Sequence, residues 1–255
     1  MQFQNNKISI AIITYNCKRT IKKCITSIYP FADDIIIVDS NSSDGSIDII
    51  KNFKKISFYT RKFDSFSNQR NYAIKKCRND WIFFIDSDEE ISYELGDFLL
   101  HHQLNLREYY SFLRKNYFFG KISLRVLGKD PQIRLFNKHQ GSFKGVVHER
   151  FVPNCDIKLI SIKKYIIHHG DISFEKRLEK INRYSILHSQ IFINRSIFFI
   201  IMRLLKEIFI ILFIRLGFLD PKRCFMWILI RIKYHINIIM YLMNNRYFKK
   251  DNIKK

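Results

Sequence analysis

The sequence predicts an α/β fold, with a mostly parallel central sheet followed by amphipathic helices at the C-terminal end. Three observations carry this expectation. Apolar β-rich runs alternate with segments of helical spacing over roughly the first hundred residues, the pattern breaks into shorter strand-like runs between 110 and 170, and helical periodicity takes over from about Ser173. With 255 residues, 47% of them hydrophobic, the chain can build a packed core and is too apolar for global disorder.

The elements follow in order. Residues 8–13, within "ISIAIITYN", are almost all apolar, as expected of a strand buried on both faces. In "TYNCKRTIKKCITSI", Ile21, Cys24, Ile25 and Ile28 recur at helical spacing. "DDIIIVDSNSSDGSIDIIKNF" repeats the unit: a strand over 35–38, a polar glycine-containing loop, and a helix from about Ser46 to Phe53. A short strand near 56–59 precedes "SFSNQRNYAIKKC", which reads as a helix with Ser67 as its N-cap. "WIFFI" is the next strand. "YYSFLRKNYFFGKIS", "DPQIRLFNK" and "IKKYIIHHGD" read as shorter strands joined by loops. In sheets of this class ligands gather where strands end and loops begin.

The net charge is +21, which points to an anionic partner, although a composition rich in Ile, Lys and Asn also raises it. Residues 151–255 carry 20 Lys+Arg against 7 Asp+Glu, a net of +13, while the first 150 carry 24 against 16. Cys17, Cys24, Cys77, Cys155 and Cys224 are scattered with no CxxC pair, which argues against a disulfide framework or zinc site and for a reducing compartment. "MQFQNNK" lacks the basic-then-apolar layout of a signal peptide, so a cytoplasmic location is expected.

Against this basic background, "WIFFIDSDEEI" places Asp86, Asp88, Glu89 and Glu90 at the end of a buried strand. In an extended segment residues 86 and 88 share a face, and two close carboxylates repel unless a cation sits between them. A hard divalent ion supplies that cation and can hold a diphosphate as well. Glu89 and Glu90 read as solvated, with a part in shaping the site as the alternative.

The first strand ends in Thr14, Tyr15 and Asn16, the second in Asp39, and "NQRNYAI" and "FKGVVHERF" follow. This ordered set resembles the family 2 glycosyltransferases of the GT-A nucleotide-sugar fold, and most of all the bacterial branch acting on lipopolysaccharide core and other surface glycans. "IRLGFLD" in the tail is similar to a segment of that branch, though "FLDPKR" has Pro where glycine is usual. The resemblance implies that Thr14, Tyr15 and Asn16 frame the uracil of a UDP-sugar and that Asp39 accepts a hydrogen bond from it, with a helix-entry cap as the alternative for Asp39. It implies that Arg70 lies near the diphosphate, that Asp86 faces the ribose or the metal's water shell, and that Asp88 ligates Mg²⁺ or Mn²⁺. Glu149 in "GVVHER" matches the family's acidic base for inverting transfer, with His148 as its competitor. His168 and His169 stand open between a metal or diphosphate role and ordinary loop histidines.

In the tail, "SIFFIIMRLLKEIFIILFIRLGFLD" is too apolar for an ordinary surface helix, yet Arg203, Lys206, Glu207 and Arg215 interrupt it. "CFMWILIRIKYHINIIMYLMNNRYFKK" again mixes apolar stripes with Trp227, Tyr234, Arg231 and Lys233. Basic amphipathic helices with aromatic anchors lie in membrane interfaces. Packing on the catalytic domain or on a second subunit is the alternative, and a true transmembrane span is a further one.

Together these readings divide the chain into a catalytic domain over 1–185 and a basic, membrane-associating tail over 186–255. They make the protein a metal-dependent transferase peripheral to the inner face of the cell membrane, with a glycolipid or glycan acceptor. A nucleotidyltransferase would carry a glycine-rich phosphate loop after the first strand, which "TYNCKRTI" lacks. A nucleic-acid-binding protein would expose aromatics among its basic residues, whereas here the aromatics sit inside apolar runs.

Overall fold

The computed structural model describes residues 6–118, 121–122, 127, 130–145, 149–170 and 174–251. The chain forms two compact units, Met1–Lys115 with Lys129–His169, and Asn116–Gly128 with Gly170–Lys255.

The first unit is built on a mixed sheet whose strands lie in the order Ile56–Thr60, Asp34–Asp39, Ile8–Thr14, Trp81–Asp86, Pro131–Asn137, Glu108–Phe118, Lys158–His168, Glu89–Ile91. Its core is the parallel set β1 (Ile8–Thr14), β2 (Asp34–Asp39), β3 (Ile56–Thr60) and β4 (Trp81–Asp86). β1, β2 and β4 are apolar on both faces because both are covered. On one face Ile10, Ile12, Ile35, Ile37, Phe83 and Ile85 pack with Ile21, Cys24, Ile25 and Ile28 of α1 (Ile21–Ile28) and with Leu95 and Leu99 of α4 (Tyr93–His101). On the other, Ala11, Ile36, Val38, Ile82 and Phe84 meet Ala73 and Ile74 of α3 (Phe66–Lys76). The remaining helix of this unit, α2 (Ser46–Lys51), follows β2.

Register aligns the strand ends. Thr14 pairs with Asp39 across β1 and β2, and Ile13 with Asp86 across β1 and β4, so the three polar termini share one edge. The antiparallel flank then delivers further residues to that edge. β8 (Pro131–Asn137) pairs with β4, β6 (Glu108–Phe118) pairs with β8, and β5 (Glu89–Ile91) pairs with the end of β11 (Lys158–His168). A separate hairpin joins β9 (Gly141–Lys144) to β10 (Arg150–Pro153).

Two local expectations are corrected. The N-cap of α3 is Ser65, whose hydroxyl accepts from Asn68 N at 3.2 Å; Ser67 is buried in the first turn and donates to the Gly145 carbonyl. Glu89 is not solvated: strand pairing of β5 with β11 draws it to 0% exposure.

In the second unit the end of β6 pairs with β7 (Lys121–Ile122). Among the described residues the long helices that follow are α5 (Phe174–Ser189), α6 (Ile197–Phe209) and α7 (Pro221–Asp251). Ile211, Cys224 and Ile230 form one apolar cluster with Phe118, and Ile200, Tyr234, Ile238 and Leu242 form another with Phe192. Segment Pro221–Asn244 of α7 is long and apolar enough, by length and composition, to cross a membrane.

Candidate active site

The strand edge carries three groups of side chains. The first surrounds Asp39. Its carboxylate is fully buried and accepts from Thr14 Oγ1 (2.8 Å), Ser42 Oγ (2.6 Å) and Ser42 N (2.7 Å). Asn16 and Asn41 hold left-handed backbone (φ 46° and 64°), a conformation asparagine tolerates better than most residues. Asn16 N donates to Ser42 Oγ at 2.8 Å, and Ser43 N donates to Asn16 Oδ1 at 2.9 Å, so the two loops are stitched together above Asp39. Asp39 does not cap α2. That helix begins after Gly45, and Ser46 N donates to Asp44. Tyr15, 65% exposed, offers a ring face beside this knot.

The second group answers why acids crowd the end of β4. Asp86 Oδ1 lies 2.8 Å from Arg70 Nη2 and its Oδ2 lies 2.6 Å from Arg134 Nη2. Arg134, only 2% exposed, also reaches Glu89 at 2.6 Å, and Arg114 approaches Glu89 at 3.2 Å. Glu89 Oε2 in turn accepts from Asp86 N at 3.1 Å. Burial alone would push the Asp86 carboxyl up; Arg134 first and Arg70 second outweigh it and hold it well below the usual carboxylate range. Arg70 extends the network to Glu149 at 3.1 Å, and its guanidinium packs on the rings of Phe84 and Phe143 at 4.3 and 5.1 Å. Arg70, Asp86 and Glu149, distant in sequence, therefore meet.

The third group is the loop after β4. Asp88, 40% exposed, lies 3.1 Å from His168 Nε2, and His169 N donates to the Asp88 carbonyl at 2.8 Å. His169 Nε2 sits 2.6 Å from Glu90 Oε1. The β5–β11 pairing sets His168 opposite Glu89 and so brings both histidines to the acidic loop. Among the described residues no group of three His, Cys, Asp or Glu side chains converges as a metal site. The donor set that fits a hard divalent ion is the carboxylate of Asp88 with the imidazole of His168, leaving positions open for other oxygens. His148 lies outside the described residues.

Sequence reasoning missed Arg134, Arg114 and the buried role of Glu89. A signal for Arg134 existed: a lone arginine inside the apolar strand "QIRLF" is buried only with a partner.

The profile of glycosyl transferase family 2 matches residues 9–146. An uncharacterized glycosyltransferase of Rickettsia typhi is 32% identical over 193 residues, a match covering 70% of this chain and 65% of that protein. The chain thus spans slightly less than two thirds of that relative's length. The lipopolysaccharide core biosynthesis glycosyltransferase LpsC of Rhizobium meliloti is 25% identical over 189 residues, covering 71% of this chain and 69% of LpsC. A crystal structure of S. aureus TarS with UDP aligns with a TM-score of 0.44 at 16% identity, over 71% of this chain and 64% of that one. The family match takes in β1 to β4, the acidic loop and Arg134, and the chain belongs to glycosyl transferase family 2, with the family's GT-A-like α/β fold.

Proposed function

We propose that this chain transfers a sugar from a nucleoside diphosphate donor, UDP-sugar first among them, to a hydroxyl of a lipid-linked surface glycan such as lipopolysaccharide core, with inversion at the anomeric carbon. The observation that carries the reading is Arg70 standing between Asp86 and Glu149 at the sheet edge. A planar guanidinium suits a diphosphate, and a carboxylate beside it would take the acceptor's proton. The acceptor oxygen attacks the anomeric carbon as the diphosphate departs from the opposite face, and Glu149 keeps the proton. Tyr15 and Asn16 would frame the base over the Asp39 knot. Asp88 and His168 would hold Mg²⁺ or Mn²⁺, whose bound charge offsets that of the departing diphosphate. Likeness to LpsC, a lipopolysaccharide core biosynthesis glycosyltransferase, supports an acceptor of the lipopolysaccharide type.

The test compares Glu149→Gln and Asp88→Ala with the parent chain, using UDP calorimetry with Mn²⁺ or EDTA and sugar transfer to extracted lipid acceptors. Glu149→Gln should lower transfer at least about a hundredfold, since general base catalysis contributes on the order of 10²–10⁴. It should leave UDP affinity near the parent's. Asp88→Ala should lose the metal-dependent part of UDP binding. Full transfer by Glu149→Gln would remove Glu149 as the base.

A further inference from the structure

The second unit carries a surface whose polarity is inverted. In α6, Phe198, Met202, Leu205 and Phe209 fall on one stripe at spacings of four, three and four, and that stripe faces out, with exposures of 70, 48, 54 and 54%. The acid of the same helix turns inward. Glu207 accepts from Arg231 Nε of α7 at 2.7 Å and from Arg203 Nε at 3.3 Å, with buried His235 at 3.8 Å. The stripe continues into the turn after α6, where Phe213, Ile214, Phe218 and Leu219 are each more than half exposed. A helix meant to face water is built the other way round.

Charge selects what covers this surface. Residues 184–250 hold eleven Lys+Arg and only two Asp+Glu. Both acids are already engaged, Glu207 with Arg231 and Asp220 with Arg223 at 3.1 Å. Lys206, Lys222 and Lys233 are exposed. The matching partner is apolar and anionic at once, and a second copy of this cationic surface is not.

We infer that the outer stripe of α6 and the 213–219 turn dock into the interface of an anionic lipid bilayer. The inference deepens the proposed function, on whose lipid-linked acceptor it rests. The unit lies on the bilayer and does not span it. Although α7 has the length to cross, it is tied to polar neighbours on α5: Asn237 Nδ2 donates to Asn182 Oδ1 (2.9 Å) and Ser185 Oγ (3.0 Å), and Tyr234 Oη lies 2.9 Å from His188 Nδ1. α5 itself carries six charged residues between 174 and 189, which cannot enter hydrocarbon.

The experiment is flotation of the full chain with phosphatidylcholine vesicles, with and without phosphatidylglycerol, alongside UDP calorimetry on the same preparations. Binding is expected only with phosphatidylglycerol, weakened by salt and released by alkaline carbonate. Phe213→Ser/Phe218→Ser and Lys222→Glu/Lys233→Glu should each reduce partitioning by about tenfold or more, with helical circular dichroism and UDP binding unchanged. Three results would overturn the inference: no vesicle binding by a chain that binds UDP, resistance to carbonate extraction, or a parent dimer that the phenylalanine variant makes monomeric. Vesicle binding by a chain that fails to bind any nucleotide would leave the docking surface standing and remove the catalytic reading.

Discussion

Arg134 is among the largest side chains fully buried among the described residues, and it is charged. Removing a guanidinium and two carboxylates from water is costly, and close pairing only offsets that cost. The arrangement holds because each charge has an opposite charge or donor against it: Arg134 has Asp86 and Glu89, Glu89 has the Asp86 amide and Arg114, and Arg114 has Asp130 at 2.7 Å. Arg134→Met would leave Glu89 buried beside a single partly exposed arginine, so we predict a loss of about 3–5 kcal/mol in urea denaturation. Arg134→Lys should recover part of it, because the single Nη2 atom meets both carboxylates, a contact that an ammonium with three donors can also make. Adding Glu89→Leu to Arg134→Met should restore much of the loss, since the orphaned charge is then gone. A loss under about 1 kcal/mol for Arg134→Met would show that the network is not needed for stability. Its remaining role would be to aim Asp86 and Arg70 at the sheet edge.

Among the elements, α4 shows how tightly the first unit is closed. A methyl group on Gly96 would collide with the ring of Phe31, itself in edge contact with Tyr93 at 5.6 Å. Gly96→Ala is therefore expected to destabilise by about 1–3 kcal/mol despite alanine's better helix propensity, and Gly96→Ala/Phe31→Leu should recover part of it. Thermal melts of the three proteins decide this, and a stabilised single variant would mean the ring swings aside freely. The same scale separates what the sequence disclosed from what it hid. β1, β2 and β4 were legible because both their faces are covered, so each is an unbroken apolar run whose polar end marks the ligand edge; Thr14, Asp39 and Asp86 followed from that. β5 was not legible. "EEI" has no strand signal of its own and becomes a strand only by pairing with residues 166–168, far along the chain. The burial of Glu89 and the approach of His168 to Asp88 both depend on that long-range pairing. Likewise a lone arginine in the apolar run "QIRLF" requires a buried partner, but nothing local names it. Ser65 and Ser67 are equally good caps by type, and only the burial of Ser67 against Gly145 decides between them.

For the molecule as a whole, a net charge of +21 means that folding gathers like charge, and the carboxylates temper it. Asp86 is held below the ordinary aspartate range against its own burial, by Arg134 and then Arg70. A folded-state value below the unfolded one, about 3.9, means the folded chain binds fewer protons there. The stability this supplies is complete above about pH 4 and is lost as pH falls through the folded value. Protonation of the other carboxylates over the same range raises the positive charge further, so repulsion steepens the acid limb and added salt should soften it. We predict urea midpoints that fall once pH drops below about 4, with a shallower fall at about 0.5 M salt. Arg70→Gln removes one of the two guanidinium groups that touch Asp86 and leaves burial a larger share of the balance. With the folded value moved up toward the unfolded one, less stability hangs on this proton, so the variant should lose stability at neutral pH and show a shallower fall than the parent below about pH 4. Superimposable acid limbs for the two proteins would mean that Asp86 is not the carboxylate whose protonation governs the fall, and would turn attention to acids outside the strand edge.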